Sequence, residues 1–262
     1  MFKKILPFAL ILSPFSAALA AESSSVTSED RSLNVGLGVL AQTGLYVGED
    51  TKVTPIPTFT YEGERFFLRG LYGGMHLYKD NSFNVSAIVN ATIESLDVDD
   101  LSRSELAKHH LSKEQLEDRD ASADAGLEVI WKGKYGVLSA QALGDIGNAS
   151  DAATAKVNYQ YFWRLDNQWT VIPNVGATWL SEDRADYYYG TLDSEVARGV
   201  EKYRPGSVVI PHVSLGLHYD INKKWQTSAL VTYKMLPDDI KDSPIIDEDG
   251  ETSFFLGVSR KF

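Results

Sequence analysis

The chain has no cysteine among its 262 residues, which excludes disulfides, zinc–thiolate sites and thiol nucleophiles. Beyond its first twenty residues, no stretch approaches the ~18 continuous apolar residues of a membrane-spanning helix, so any membrane role requires strands. Positive charge is scarce: 36 Asp and Glu stand against 25 Lys and Arg, for a formal net charge of −11. That balance argues against nucleic acid as a partner, because phosphates need a basic surface. Catalytic signatures are missing too. No Gly-Xaa-Ser-Xaa-Gly elbow, His-Glu-Xaa-Xaa-His pair or phosphate-binding loop occurs, so no catalytic residue, metal site or cofactor is expected.

What is present begins with an export signal. Lys3 and Lys4 are followed by an almost wholly apolar run from Ile5 to Phe15, then by the small residues of Ala18-Leu19-Ala20. This three-part layout predicts a cleaved signal peptide over 1–20. The run is too short for an anchor and is interrupted by Pro7 and Pro14. With no cysteine after it, a lipoprotein anchor is excluded. The mature chain then spans 21–262 as a single domain, with 21–32 as an N-terminal periplasmic segment, and losing two lysines makes it more acidic still.

The dominant period along the mature chain is two. From Trp169 to Trp179 one face reads Trp, Val, Pro, Val, Ala, Trp and the other Thr, Ile, Asn, Gly, Thr. The same alternation runs through Leu33 to Val39, Ala155 to Trp163 and Val209 to Tyr219, giving each segment one apolar and one largely polar face. Short connections at Glu62-Gly63, Lys132-Gly133, Leu165 to Asn167 and Asp220 to Asn222 take turns with long ones at Leu96 to Asp120, Gly144 to Asp151, Ser181 to Pro205 and Met235 to Gly250. Alternate short turns and long loops mark an outer-membrane barrel, with the turns in the periplasm and the loops outside. Strands are expected near 33–40, 53–61, 64–71, 74–79, 82–92, 121–131, 134–143, 153–163, 168–180, 206–219, 224–234 and 252–262. The predicted fold is therefore an all-β transmembrane antiparallel barrel of the outer membrane with about 12 strands. The pair meeting at Gly73-Gly74 is short, and without it the count falls to ten.

Tryptophan placement decides which face meets lipid. Trp131, Trp163, Trp169 and Trp225 lie beside short turns on the apolar face, and Trp179 sits at the far end of its strand. Trp favours a bilayer interface, where its ring is buried and its N–H stays wet. With Tyr219 and the terminal Phe262, these residues are the expected interface aromatics. Ten steps from Trp169 to Trp179, tilted as barrel strands are, rise roughly 23–27 Å, against an apolar band of about 25 Å. Phe254, Leu256, Val258 and Phe262 share the lipid face of the last segment, with Arg260 placed to snorkel. Four prolines, Pro55, Pro57, Pro173 and Pro211, fall on the apolar side of strands, where each removes a ladder donor.

Gly44-Leu45-Tyr46-Val47-Gly48, Pro55-Ile56-Pro57 and Tyr61-Glu62-Gly63-Glu64-Arg65-Phe66-Phe67-Leu68-Arg69-Gly70 resemble the opening of the MipA/OmpV family. Asp118-Arg119 before Ala125-Gly126-Leu127, Ala185-Asp186-Tyr187-Tyr188-Tyr189-Gly190, Tyr203-Arg204-Pro205-Gly206 and Asp242-Ser243-Pro244-Ile245-Ile246 follow in matching order. The resemblance implies a non-enzymatic outer-membrane protein embedded among lipid and lipopolysaccharide. It further implies a scaffold that joins a murein hydrolase, the lytic transglycosylase MltA, to a penicillin-binding synthase in peptidoglycan growth. Other members of the family are described as porin-like channels or surface adhesins, so both remain alternatives.

The lumen side of the alternation carries Arg69, Asp124, Glu128, Lys156, Asn158, Gln160, His212 and His218, which would line a narrow channel or fill a plugged interior with ion pairs. His212, Ser214 and His218 share one strand face, but neighbours two apart stand ~7 Å from each other, and polar residues in a lumen need no catalytic reason. Asp238, Asp239, Asp242, Asp247, Glu248, Asp249 and Glu251 crowd the last loop and read as a solvated acidic face rather than a cation site. In the long outer loops near 96–120 and 181–205, Ser102 to Glu105 and Ser112 to Gln115 form possible capping boxes. Leu101, Leu106, Leu111 and Leu116 recur every five residues, which suits no single helical face. Asp193 or Ser194 is a possible helix cap, and His109-His110 reads as surface.

Overall fold

The computed structural model describes residues 32–91, 95–147 and 152–262. The expected leader, the segment that follows it as far as residue 31 and the tip of the loop at 148–151 lie outside the described residues. The alternating segments form β1 (Ser32–Gln42), β2 (Lys52–Glu62), β3 (Phe66–Arg69), β4 (Tyr72–Lys79), β5 (Phe83–Ala91), β6 (Ala123–Gly133) and β7 (Gly136–Asp145). They continue as β8 (Ala153–Gln160), β9 (Trp163–Arg164), β10 (Trp169–Leu180), β11 (Val208–Asp220), β12 (Trp225–Met235) and β13 (Gly250–Lys261). Each pairs antiparallel with its neighbours, and the β1–β13 and β10–β11 ladders close the sheet. Since β8 and β9 both pair with β10 in one register, they are two pieces of one strand. The result is a closed barrel of 12 strands in the outer membrane, and ten is excluded. Following paired residues once around the wall returns to β1 displaced by roughly 16 residues, the stagger that tilted strands require.

The prolines explain themselves in this wall. Tyr161 N–H donates to the Pro173 carbonyl at 3.1 Å, but Pro173 has no N–H to return. The ladder loses that bond, and the strand divides into β8 and β9 at this point. Pro211 lies just beyond the first β11–β12 pair, His212↔Lys234, with its nitrogen turned to the unpaired side. Pro55 and Pro57 lie on the side of β2 that faces β3, which pairs with β2 only from Thr60 to Glu62. Strand ends and free edges are where proline is tolerated.

One boundary needs correcting. Gly73 and Gly74 do not form the turn between β3 and β4; both pair inside β4, opposite Leu68 and Phe67. Gly74 is packed so closely that a Cβ would meet the Ala87 carbonyl at 2.2 Å. The turn is Gly70-Leu71, where Gly70 takes φ 66°, a conformation glycine adopts without steric cost.

Burial follows the alternation. Leu37, Val175, Leu215 and Leu256 are each more than half exposed on the outer face, while Leu40, Ile172 and Phe255 beside them are buried in the interior. No helix among the described residues is long and apolar enough to cross a membrane.

The outer loops supply a second core. They carry α1 (Arg103–Lys108), α2 (Glu182–Tyr189), α3 (Asp193–Ala197) and α4 (Asp238–Lys241). The four leucines spaced by five are all buried there together with Leu45, Val47, Tyr188, Ile240 and Ile245. Only Leu106 lies inside a helical turn, and Leu101 and Leu116 each follow a short 3-10 turn, so no continuous helical stripe forms. The Ser112 N–H donates to Gln115 Oε1 at 2.9 Å, as a capping box requires. The cap of α3 is corrected: Asp193 is its first residue, and the Leu192 N–H donates to Glu195 Oε2 at 2.8 Å.

Candidate functional site

Three regions of the barrel gather polar or charged side chains: the inner wall, the packed outer mouth and the periplasmic turns. On the inner wall, Glu62 at the foot of β2 accepts from Arg69 Nη2 at 2.8 Å and from Lys79 Nζ at 2.8 Å. His76 Nε2 lies 3.0 Å from the same carboxylate, and Arg69 Nη1 stands 4.0 Å from Glu128. Gln141 donates to Glu128 at 2.8 Å. The Arg69 guanidinium also stacks 4.4 Å over the Phe67 ring, an arrangement that suits its planar, weakly hydrated charge. Arg69 and Glu128 were legible as inward residues. Glu62, His76 and Lys79 were not singled out, although the period-two rule places Glu62 on the same face as Thr60.

Across the lumen, His212 Nε2 lies 2.8 Å from Asn158 Oδ1, His218 Nδ1 lies 3.1 Å from Ser228, and Ser214 accepts from Thr232 at 3.0 Å. Thus His212, Ser214 and His218 each have a different partner, and none serves another as a catalytic base would. Gln160 is buried on β8, two steps from Asn158 and four from Lys156, which pairs with Gln141 and Thr178 in the ladders. Between these polar groups Leu40, Ile56, Ile172, Leu230 and Phe255 form an apolar cluster against Phe162. The interior is therefore mixed, with ion pairs and hydrocarbon interleaved.

Two buried ion pairs tie the outer loops down. Arg184 of α2 makes a bidentate contact with Asp124 at the top of β6, at 2.8 and 2.9 Å. Arg119 does the same with Glu195 of α3. Burial without pairing would be costly, and paired geometry of this kind is what makes it tolerable. Asp124 was legible as an inward residue, but its partner 60 positions away was not. Among the described residues no group of three or more His, Asp or Glu is arranged to hold a metal ion. In the acidic loop, Asp238 pairs with Lys241 at 2.7 Å.

At the other end, three tight turns share one device. Asp80, Asp166 and Asn222 each accept from the backbone N–H groups two and three residues on, at 2.7–3.1 Å; this is the local bond that favours Asx residues in turns. The Ser82 N–H, with the Tyr78 hydroxyl and the Phe83 N–H, holds the Asp80 carboxyl below its ordinary range. Tyr135, Leu165 and Ile221 project from the tips of three turns, exposed by 71%, 55% and 44%, among Lys134, Lys223 and Lys224. Trp131, Trp163, Trp225 and Phe262 are exposed beside these turns, Trp179 is exposed at the opposite end, and Trp169 packs on Tyr219 at 4.3 Å between ring centres.

Closed twelve-stranded wall, apolar outer surface, long outer loops and tight periplasmic turns define an outer-membrane β-barrel protein. Within that class the chain belongs to the MltA-interacting protein MipA family, whose model matches residues 35–262. The MltA-interacting protein of Escherichia coli (strain K12) is 29% identical over 245 residues, covering 93% of this chain and 96% of that protein. Outer membrane protein OmpV of Vibrio cholerae is 25% identical over 213 residues, covering 80% of this chain and 79% of its own. Among solved structures, the NanC porin is similar at 10% identity with a TM-score of 0.44, covering 86% of this chain and 100% of that one.

Proposed function

We propose that the chain is a non-enzymatic scaffold that holds a lytic transglycosylase and a penicillin-binding synthase together at the inner surface of the outer membrane. The observation that carries this reading is the periplasmic rim. In a chain of net charge −11, the rim concentrates Lys132, Lys134, Arg164, Lys223, Lys224 and Lys261 around exposed apolar tips, against Glu64, Asp80, Asp166 and Asp220. Apolar anchors within a charged rim are what a protein partner recognises. Docking falls on the rim near Glu62-Gly63, Lys132-Gly133-Lys134, Asp166-Asn167 and Asp220 to Lys223, with the Glu62 side chain itself turned inward. A near full-length relative whose name records interaction with MltA supports the same reading.

In this proposal residues 1–20 are a cleaved export signal. Trp131, Trp163, Trp169, Trp179, Tyr219, Trp225 and Phe262 sit at the two bilayer interfaces, and Arg69, Asp124, Glu128, Lys156, Asn158, Gln160, His212 and His218 line the lumen as a structural filling. A solute channel would use those same polar side chains, but a packed apolar core over the mouth favours the scaffold.

Crosslinking in intact envelopes, followed by mass spectrometry, tests the proposal. A murein hydrolase and a synthase should be captured by the native chain, and capture should fall when Lys132, Lys134, Lys223 and Lys224 become Glu. Capture of neither enzyme, or steady single-channel steps in planar bilayers, would overturn it.

A further inference from the structure

Arg69 Nε, Arg69 Nη1, the Tyr72 hydroxyl and Glu128 Oε2 are shut off from solvent and have no hydrogen-bond partner among the described residues. These four atoms belong to one place on the inner wall. Arg69 and Tyr72 pair across the β3–β4 hairpin, and Arg69 Nη1 stands 4.0 Å from Glu128 Oε2. The Tyr72 hydroxyl approaches the same carboxylate. All three side chains are buried, and the apolar cluster of Phe67, Tyr72, Ile88 and Leu143 borders them.

Buried polar atoms are nearly always paired, and leaving a buried charge without its bonds is costly. Here the two charges are each held elsewhere. Arg69 Nη2 donates to Glu62 of β2 at 2.8 Å, and the guanidinium lies 4.4 Å over the Phe67 ring. Glu128 Oε1 accepts from Gln141 of β7 at 2.8 Å. A separation of 4.0 Å is too long for a hydrogen bond, so something must stand between them. A cation would be repelled by the guanidinium and an anion by the carboxylate. An apolar group would leave all four atoms unpaired. What fits is a small neutral molecule that both donates and accepts. Water does so: seated about 2.8 Å from each, it accepts from Arg69 Nη1 and donates to Glu128 Oε2.

We infer that Arg69, Tyr72 and Glu128 form a buried water site, which holds ordered water as a structural ligand between side chains of opposite charge. Ordered waters in protein interiors make about three hydrogen bonds each, and Arg69, Glu128 and the Tyr72 hydroxyl supply that number. The water solvates the Arg69 and Glu128 charges inside the barrel. It also couples the β3–β4 hairpin to β6, with which neither strand pairs. The inference needs only the closed wall and is independent of the scaffold reading.

Hydroxyl-radical footprinting with X-ray pulses tests the site, because a bound water is split where it sits and its radical oxidises the nearest rings. Two matched pairs of rings serve as the readout. Phe67 and Phe255 are each 4% exposed, and Tyr72 and Tyr188 are 1% and 0% exposed. Phe67 and Tyr72 adjoin the site, whereas Phe255 lies in the apolar cluster with Leu40 and Tyr188 donates to the Asp120 carbonyl. In the full native chain in detergent, oxidation of Phe67 and Tyr72 should exceed that of Phe255 and Tyr188 by about tenfold, the occupancy ratio that one hydrogen bond to a charged group confers. Equal oxidation within each pair would overturn the inference, as would a crystal structure in which Arg69 Nη1 and Glu128 meet directly at hydrogen-bond distance. In Glu128→Met, which removes the acceptor at similar volume, the excess should collapse; an unchanged excess in a variant folded by gel mobility would equally overturn it. Where that variant does not fold, the native comparison decides.

Discussion

Arg119 and Glu195, 76 positions apart, face each other through two parallel hydrogen bonds of 2.8 and 2.9 Å, and neither side chain reaches solvent. Arg119 also donates to the carbonyls of Glu117, Tyr187 and Gly190, so one guanidinium joins the loop after β5 to the loop after β10. Arg119→Ala leaves Glu195 buried without its counter-charge, a loss of roughly 3–5 kcal/mol where such pairs have been broken. The barrel wall shares none of these bonds. Protease nicking within 95–122 and 181–207 should rise sharply in the variant, while its heat-modifiable gel shift stays that of a folded barrel. Simultaneous loss of both would show that the outer core and the wall fold as one unit.

The wall was legible because each strand obeys a local rule. Period two placed the strand centres, turn residues placed the short connections, and tryptophans set the lipid face. The outer core obeys no local rule. Leu101, Leu106, Leu111 and Leu116 converge because three short helical turns at 98–100, 103–108 and 113–115 break the backbone between them, and Arg119 finds Glu195 through a tertiary approach that spacing does not encode. The β3–β4 turn was misplaced for a physical reason: Gly73-Gly74 looks like a turn, but those glycines serve close strand packing, and of the three it is Gly70 that takes positive φ. Inner-wall residues were half legible. Alternation assigns a face, whereas the partners of Glu62 depend on register across two hairpins.

The second bidentate pair, Arg184 with Asp124, anchors α2 to the rim of β6. Arg184→Met keeps much of the side-chain volume but abandons the carboxylate, so the helix should lift from the wall. If the outer core is what blocks passage, planar bilayers should show conductance bursts for Arg184→Met that the native chain lacks. Identical silence from both proteins would locate the block deeper, at the Leu40–Phe255 cluster.

Acid should loosen the contact between the same two loops. Hydrogen bonds from Ser194 and Arg198 hold the Glu117 carboxyl below its ordinary range, and Arg198 Nη2 stands 2.9 Å from it. A carboxyl depressed in the folded state contributes stability above its unfolded pKa, and that contribution fades as pH falls through the folded value. Protection from amide exchange across 113–119 and 194–198, measured against the intrinsic rate at each pH, should therefore be high at neutral pH and fall below the usual glutamate range. In Glu117→Gln this acid-dependent loss of protection should be absent; if the variant retains it, another carboxylate is responsible.

Pro173 divides β8 from β9 because its nitrogen cannot complete the pair with Tyr161. Pro173→Val supplies that N–H without altering the outward, exposed apolar character of the site. One restored ladder bond contributes about 0.5–1.5 kcal/mol, offset in part by the wider freedom of the unfolded chain once proline is gone. In detergent-based urea unfolding the variant should match or exceed the native midpoint, and exchange at Tyr161 to Trp163 should slow. A lower midpoint would mean that the break is required, with the proline ring packed against lipid or a neighbouring side chain in a way valine cannot reproduce.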